Sequence, residues 1–569
     1  MKRSLVKSLT IATSITLLSG CGSVNLETSS SQETAASPNT YVTYDNSDPA
    51  LISFDSSNQE LYEPASSSAD YETGTYDSSE YYEETEPYIN TEEYNDQKEN
   101  VFTQVSVTPL STFGADVDTA SYTNFRRMVN DGYTLDTIPD GAIRVEEMLN
   151  YFDYDGLNTQ AVNISSSDDE AFSVTYETGT CPWNTDNGVL VMNIKANKTS
   201  VESKGTNFVF LIDTSGSMSY PEDEKIGLVK SAFEEFLTTL SDNDTISVVT
   251  YSGTSETLIE GSSDKGMIKE ALSAAYNSCV SSGGSTNGSG GITAAYEIAN
   301  KYFIEGGNNR VIIASDGDMN LGLTSASSLT ELISSEKESG VYLTVLGFGT
   351  GNYSDTNMEA IADAGNGNYF YIDCLDEAKR VLCDKLAETT VTVAKDVKFQ
   401  VEFNPNKISE YRLVGYENRT MAAQDFTDDT KDGGEVGAGQ DVTVIYELVY
   451  ANGEDSSTDL RYQEDAKTTK EADTDEILAL SIRYKEPASQ NSDDETSTEL
   501  NFTVSGTGEE NSSSFVFAAA VAESSLILSR SSYSENANLE NASVRAASSA
   551  GDDPYKTEFV SLLNTLMAY

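Results

Sequence analysis

Between residues 204 and 388, short apolar runs alternate with longer stretches of helical periodicity. A parallel sheet that carries helices on both faces buries both sides of its strands, which therefore appear in a sequence as uninterrupted apolar runs. The sequence thus predicts the α/β fold class here, as a doubly wound, mostly parallel sheet of six strands. The predicted strands are Phe208–Ile212, Ile246–Val249, Val311–Ala314, Tyr342–Leu346, Tyr369–Ile372 and a short edge strand, Thr257–Ile259, and the predicted helices lie near 222–240, 264–276, 289–304, 325–339 and 374–390.

A different pattern, the alternation of apolar and polar residues, flanks this region on both sides. Such alternation is typical of strands with one buried face, and isolated strand pairs are only marginally stable. We therefore expect the two sets of strands to form one β-sandwich-like domain, with the α/β domain 205–388 inserted between its parts, 166–204 and 389–510. The alternating segments are Phe172–Tyr176, Val189–Ile194, Val397–Val401, Val442–Tyr446 and Ile477–Ile482, and acidic insertions at 425–435, 453–476 and 490–499 interrupt them.

Helical segments are predicted at both ends of the folded region, over 105–165 and 511–569. In the first segment, apolar residues share one helical face behind residues that commonly cap helices. The predicted helices are Ser121–Val129 behind Asp118 and Thr119, Ala142–Phe152 behind Asp140, and two closing helices near 514–529 and 555–568.

The first 21 residues resemble a bacterial lipoprotein signal. Three basic residues precede an apolar stretch, Leu9–Leu18, and small residues lead to Cys21. The resemblance implies that residues 1–20 are removed and that Cys21 carries the lipid, which places the protein at the bacterial cell membrane, facing outside the cytoplasm. An ordinary secretory signal with a chance cysteine is the alternative. No other apolar run approaches the ~18 residues that a membrane-spanning helix needs.

Residues 21–104 have the composition of an extended stalk. From Gly22 to Asn100 there are 18 acidic residues, nine tyrosines and a single basic residue, Lys98. Self-repulsion and the low aliphatic content predict disorder and extension. A binding segment rich in tyrosine and acidic residues is the alternative.

Composition also excludes several classes of function. The chain has 93 Asp and Glu against 34 Lys and Arg, a formal net charge of −59, which repels nucleic acid. It contains no histidine, so Ser-His and Cys-His nucleophile pairs and histidine-ligated zinc are absent. We therefore expect a protein without enzymatic activity. A glycosidase that uses paired carboxylates stays open as an alternative.

Oxygen-bearing side chains follow the predicted strands at one edge of the sheet. The first strand is followed by Asp213-Thr-Ser215-Gly-Ser217 and the strand ending at Ala314 by Ser315-Asp316-Gly, while the glycine-rich loop 283–291 contains Thr286. Ligands bind at the carboxyl edge of parallel sheets. Two carboxylates with three hydroxyls suit hard cations that prefer oxygen ligands. The pattern predicts a Mg²⁺ site, with Mn²⁺ as an alternative.

This order of residues resembles the metal-ion-dependent adhesion site of the von Willebrand factor type A (VWA) domain, a Rossmann-like fold. The resemblance implies that Asp213, Ser215 and Ser217 hold the ion directly or through water. It further implies that Thr286 joins the shell when a ligand arrives and that Asp316 acts through water. Ser315 stands where the family commonly has threonine. Because few anionic ligands surround the ion, an open position could accept a carboxylate, so we expect a protein partner that presents an Asp or Glu to the ion. Ca²⁺ is a further alternative cation.

The flanks resemble bacterial lipoproteins that carry this domain between a dedicated N-terminal segment and C-terminal region. The matching segments are Phe113–Tyr122, Ile143–Phe152, Pro182-Trp-Asn184 and Asp552–Tyr555. The resemblance implies a surface protein that binds a partner, with an envelope scaffold or chaperone-like assembly role as the alternative. The oligomeric state stays open.

Several smaller features keep two interpretations. Asp116 and Asp118 are interpreted as a helix start, with a metal pair as the alternative. Asp318 is interpreted as a solvated turn residue, with an indirect role at the metal site as the alternative. Four cysteines, Cys181, Cys279, Cys374 and Cys383, are either buried thiols or, for the last two, a disulfide.

Overall fold

The computed structural model describes residues 92–95, 98–165, 171–197, 204–219, 225–281, 286–319, 323, 325–337, 339–350, 353–431, 433–452, 468–486, 497–506 and 510–569. Residues from Ile89 to Tyr569 form one compact unit. The predicted signal, Cys21 and most of the predicted stalk lie outside the described residues.

The elements are named in chain order. The strands are β1 (Thr103–Gln104), β2 (Leu110–Gly114), β3 (Thr159–Gln160), β4 (Val162–Asn163), β5 (Phe172–Thr180), β6 (Gly188–Ala196), β7 (Thr206–Asp213), β8 (Thr245–Tyr251), β9 (Ser255–Ser262), β10 (Asn308–Ser315), β11 (Tyr342–Phe348), β12 (Asn368–Ile372), β13 (Thr392–Phe403), β14 (Ile408–Val414), β15 (Gly434–Gly437), β16 (Asp441–Tyr450), β17 (Glu476–Lys485) and β18 (Ser497–Ser505). The α-helices are α1 (Ala120–Asn130), α2 (Val145–Asn150), α3 (Lys225–Phe236), α4 (Lys265–Ser281), α5 (Gly288–Lys301), α6 (Ala326–Lys337), α7 (Asp355–Ala364), α8 (Leu375–Lys379), α9 (Leu386–Thr390), α10 (Ser513–Leu528), α11 (Leu539–Ser549) and α12 (Pro554–Ala568).

The α/β domain is built on one sheet of order β12-β11-β10-β7-β8-β9. Its first five strands are parallel, and β9 is an antiparallel edge strand. One face packs against α3, α4 and α8 through residues such as Phe233 and Leu272, and the other against α5, α6 and α7 through residues such as Ile292 and Ile361. The predicted fold class, a doubly wound, mostly parallel sheet of six strands, is therefore confirmed.

Two antiparallel sheets form the β-sandwich around this insertion. The first has the order β1-β14-β16-β6-β5-β3, and the second has the order β15-β13-β17-β18-β4 with β2 beside β13. Met192 and Val444 of the first sheet share a buried core with Phe399 and Leu480 of the second. Strand β6, which precedes the α/β domain, pairs directly with β16, which follows it, so the sandwich is made from both flanks.

Helices α1, α2, α10 and α12 form a layer on the outer face of the first sheet. Residues Phe517 and Phe559 of this layer share a core with Val191 and Ile445 of the sheet. Helix α2 is shorter than predicted, and its N-cap is Arg144 rather than Asp140. The N-cap of α1 is Thr119, whose side chain makes no capping hydrogen bond.

The folded region begins before the predicted end of the stalk at residue 104. Strand β1 pairs with β14, and the Glu93 amide donates to the carbonyl oxygen of Tyr353 at 3.0 Å. The Glu92 carboxylate pairs with Arg127 at 3.1 Å. Residues 92–95 and 98–104 are therefore part of the fold, which corrects the stalk boundary.

The described residues contain no helix that is both long and apolar enough to span a membrane. No disulfide joins the cysteines that the structure describes, which are Cys181, Cys279, Cys374 and Cys383.

Candidate functional site

Two carboxylates meet at the carboxyl edge of the α/β sheet. Asp213 is the last residue of β7, and Asp316 follows β10, the parallel neighbour of β7. Because neighbouring parallel strands end at the same edge, the two side chains face the same cleft. Both are fully buried, at 0% exposure.

Asp213 is held in place by two hydrogen bonds. Its Oδ1 accepts from the Ser215 amide at 2.9 Å, and its Oδ2 accepts from the Ser315 hydroxyl at 2.9 Å. Burial and the neighbouring Asp316 carboxylate raise the pKa of Asp213 to about 7. Two carboxylates in a desolvated cleft therefore favour a proton or a cation beside them.

The residues that carry the predicted hydroxyl ligands lie at the same edge of the sheet as this pair. Ser215 is buried and Ser217 half-buried, and their Oγ atoms lie 3.0 Å apart. Thr286 is 1% exposed and precedes α5. The amide of the next residue, Asn287, donates to the Ser252 carbonyl oxygen at 2.6 Å, which ties the start of α5 to the loop after β8. The structure thus places all five predicted residues at one edge of the sheet.

The donor set fits a hard cation. Every predicted ligand atom is a carboxylate or hydroxyl oxygen, as Mg²⁺ and Mn²⁺ prefer. Among the residues that the structure describes, no group of three or more Asp, Glu or Cys side chains is arranged to hold a metal. An ion here would therefore depend on hydroxyl ligands as well as on Asp213 and Asp316.

Two residues at this site were not predicted from the sequence. Lys225, the first residue of α3, is 1% exposed, and its Nζ lies 3.2 Å from Oδ2 of Asp316. The Cys279 thiol, near the end of α4, donates to the Ser215 carbonyl oxygen at 3.4 Å. Burial, Asp213 and Asp316 raise the pKa of this thiol to about 12, so it stays neutral.

Asp318 is partly buried, and its amide donates to Asp316 Oδ1 at 3.2 Å.

Asp116 and Asp118 do not cap α1, which corrects the interpretation as a helix start. Asp116 Oδ2 accepts from Arg419 Nε at 2.8 Å, and Asp118 Oδ1 accepts from the Tyr369 amide of β12 at 2.8 Å. Arg419 also pairs with Asp363 of α7 at 2.7 Å. Together they line a cavity of about 300 Å³ between the sandwich and the α/β domain. Asp116 and Asp118 therefore help to hold the sandwich and the α/β domain together.

A second junction of buried charges surrounds Arg144. Arg144 pairs with Glu147 of α2 and, at 2.9 Å, with Asp355 of α7. Burial and nearby acidic groups outweigh Arg144 and raise the pKa of Glu147 to about 7 and that of Asp355 to about 6. These carboxyl groups bind protons more tightly in the fold than in the unfolded chain.

Comparisons with known proteins match most of the chain to protein families. Residues 207–381 match the von Willebrand factor type A domain, residues 88–191 match a family described as von Willebrand factor, and residues 388–568 match one described as "Uncharacterized protein YfbK, C-terminal". The Escherichia coli (strain K12) "Uncharacterized protein YfbK" is 39% identical over 477 residues, which are 83% of this chain and 80% of that protein.

Solved structures also match the chain. The von Willebrand factor type A protein from Catenulispora acidiphila is 14% identical, covers 70% of this chain and 91% of its own, and has a TM-score of 0.38. The ArnB paralog VWA2 from Sulfolobus acidocaldarius is 16% identical, covers 70% of this chain and 98% of its own, and has a TM-score of 0.33. These scores are too low to transfer function, and the assignment depends on the sequence matches. On those matches, the chain belongs to the YfbK family of proteins with a von Willebrand factor type A domain.

Proposed function

We propose that this VWA protein binds a protein partner through a divalent cation, Mg²⁺ by preference, held by Asp213, Ser215, Ser217, Thr286 and Asp316. It does so without catalysing a reaction. We further propose that a lipid on Cys21 anchors the chain to the bacterial cell membrane, with the binding domain outside the cytoplasm. Cys21 lies outside the described residues, so the support for the anchor is the sequence pattern alone.

The observation that carries the metal proposal is the pairing of two fully buried carboxylates with neutral hydroxyls. Asp213 and Asp316 both have 0% exposure, and this burial, together with the neighbouring Asp316 carboxylate, raises the pKa of Asp213. A bound cation would supply an electrophilic centre for a further oxygen ligand. Ser315 orients Asp213, and the neighbouring hydroxyls of Ser215 and Ser217 would supply neutral donors to the ion.

The proposed partner presents an Asp or Glu side chain to the ion. Among the proposed ligands, two carboxylates balance the charge of a divalent cation and the others are neutral hydroxyls. The ion therefore keeps affinity for another anionic oxygen. The protein as a whole has a net charge of −59 and repels acidic proteins at long range. We therefore expect basic residues on the partner around the acidic residue that it presents.

A capture experiment on envelope extracts tests the proposal. The full chain is immobilised with Mg²⁺ or with EDTA, and bound proteins are identified for the wild type, Asp213→Ala and Asp242→Ala. Asp242 is an exposed turn residue before β8, at the opposite edge of the same sheet, and serves as the matched control. We expect a partner that binds the wild type and Asp242→Ala in Mg²⁺ and is lost with EDTA or with Asp213→Ala. A partner that binds equally in EDTA would contradict binding through the ion.

The same experiment separates a simple adhesion protein from an envelope scaffold. An adhesion protein retains one class of partner, whereas a scaffold retains several components of one complex, and chelation releases only those that contact the ion.

A further inference from the structure

Lys225 places a positive charge inside the candidate site. Its side chain is 1% exposed, that of Asp316 is 0% exposed, and Nζ lies 3.2 Å from Oδ2 of Asp316. Lysine is almost never fully buried unless its ammonium group has a partner. This ion pair is therefore part of the interior of the site, beside the proposed ligands.

Gly349 shapes the path by which Lys225 reaches Asp316. It follows β11 directly, its φ is +86°, and a Cβ atom there would lie 2.0 Å from Cε and 2.3 Å from Cδ of Lys225. Any side chain at this position would collide with the aliphatic part of the lysine. The Gly349 carbonyl oxygen accepts a hydrogen bond from the Tyr371 hydroxyl of β12 at 2.7 Å, which fixes this stretch of backbone. The backbone around β11 and β12 thus holds the lysine in place.

The charges in the cleft make this lysine a competitor for metal. Asp213 and Asp316 carry two negative charges, which a divalent cation can neutralise alone. With Lys225 still paired to Asp316, a bound divalent cation would leave an excess positive charge in a buried site. The ammonium group and the cation carry like charges, and neighbouring like charges repel strongly where water is excluded. The ammonium group and the cation therefore compete for the Asp316 carboxylate.

We propose that Lys225 is a tethered counter-ion that pairs with Asp316 while the site holds no metal and must leave this carboxylate when a divalent cation binds. The inference rests on the proposed function and deepens it, because it names a residue that sets the affinity of the site for metal. Since Lys225 begins α3, metal binding would also change the contacts at the amino end of that helix.

Calorimetric titration of the full chain with Mg²⁺, and with Mn²⁺ as a second probe, tests this role at one pH and ionic strength. Lys225→Met keeps the aliphatic chain and removes the charge, and we expect its Kd for Mg²⁺ to fall at least roughly tenfold, about 1.4 kcal/mol. Lys225→Gln is a second, polar variant in case the first does not fold. Lys230→Met is the matched control, because Lys230 lies on the same helix and pairs with Glu234 at 2.8 Å near the surface. Its Kd should equal that of the wild type.

The outcomes of these titrations distinguish a failure of the competitor role of Lys225 from a failure of the metal site itself. A purely structural role for Lys225 predicts weaker metal binding on substitution, not tighter binding. Unchanged or weaker binding by the Lys225 variants, while Asp213→Ala abolishes binding, would overturn the competitor role and leave the metal site standing. Absence of Mg²⁺ and Mn²⁺ binding by the wild type and both variants would overturn the metal site and the competitor role together.

Discussion

At the scale of single residues, the candidate site depends on how its two buried carboxylates are neutralised. Asp213 and Asp316 lie in the same desolvated cleft, and the hydrogen bonds from Ser215 and Ser315 only partly offset the loss of water around Asp213. A divalent cation that binds the folded state stabilises it by mass action, by about 2.7 kcal/mol at a hundredfold excess over Kd. We expect substitutions of the different proposed ligands to reduce this stabilisation by the cation to different extents.

The hydroxyl ligands are predicted to differ from one another. Ser217→Ala should reduce the Mg²⁺-induced rise in melting temperature, because a neutral donor next to Ser215 is lost. Thr286→Ala should leave that rise nearly unchanged and weaken partner binding, if this hydroxyl joins the shell when the partner arrives. Thermal melts with Mg²⁺ and with EDTA, combined with partner titrations, measure both effects. The reverse ranking would show that Thr286 is a resting ligand and Ser217 is not.

At the scale of elements, the strands of the α/β domain were predictable because burial on both faces leaves uninterrupted apolar runs. Strand β14 was missed because Arg412, which pairs with Glu447 at 2.8 Å in the interior, breaks its apolar alternation. Strand β18 was missed because it begins at Ser497, inside the predicted acidic insertion 490–499. Helices α7 and α11 were missed because small alanines make much of their buried faces.

The candidate site was predictable only where its residues are close in sequence or follow strands. The residues Asp213, Ser215 and Ser217 form one motif, and Asp316 follows a recognisable strand. The position of Lys225 depends on Gly349, which is distant in sequence, so no local pattern shows it. The ion pair of Asp116 with Arg419 likewise joins two residues that are distant in sequence, so no local pattern shows it.

The junction of α2 and α7 is predicted to weaken as pH rises. The folded-state pKa of Glu147 is about 7, above the value near 4.5 in the unfolded chain. The folded state thus binds more protons between these pH values, and stability falls as pH rises through this window. Glu147→Gln should remove roughly 1–3 kcal/mol of the difference in unfolding free energy between pH 5 and pH 8.

Denaturant unfolding of wild type and Glu147→Gln at several pH values measures this difference. The variant serves to subtract the effect of the overall net charge, which changes over the same range in both proteins. Identical pH profiles for the two proteins would contradict the assignment to Glu147.

At the scale of the whole molecule, arginines of the flanks connect the sandwich and helical layer to the α/β domain. Arg126 pairs with Asp373 at 2.5 Å, Arg144 with Asp355 at 2.9 Å, and Arg419 with Asp363 at 2.7 Å. Each arginine comes from a flank and each aspartate from the insertion. Among the described residues, those that form the sandwich core all come from the flanks.

Replacement of residues 205–388 by a short linker should therefore leave a cooperatively folded, β-rich remnant. The arginines at the junction would then be exposed to water, which hydrates them without a large cost. Deletion of 391–569 should instead expose β6, whose partner β16 is lost, and cause aggregation. Circular dichroism and thermal melts of both variants measure the outcome, and a soluble, folded fragment of residues 101–390 would contradict the dependence of the flanks on each other.

The proposed anchor makes a separate prediction about the whole molecule. Cys21→Ser should leave an unprocessed or released protein, because a single thiol would carry the lipid. Detergent phase partitioning of wild type and variant measures this, and a variant that stays in the detergent phase would contradict the anchor.

The most direct test of the central claim is the melting temperature of the full chain in Mg²⁺ and in EDTA, for the wild type, Asp213→Ala and the control Asp242→Ala. We expect saturating Mg²⁺ to raise the melting temperature of the wild type and of Asp242→Ala by roughly 5 °C or more. Asp213→Ala should show no Mg²⁺-induced rise, and in EDTA it should melt no lower than the wild type, since it removes a buried charge that faces Asp316. Equal Mg²⁺-induced rises in the wild type and Asp213→Ala would contradict the metal site and the partner binding proposed to depend on it.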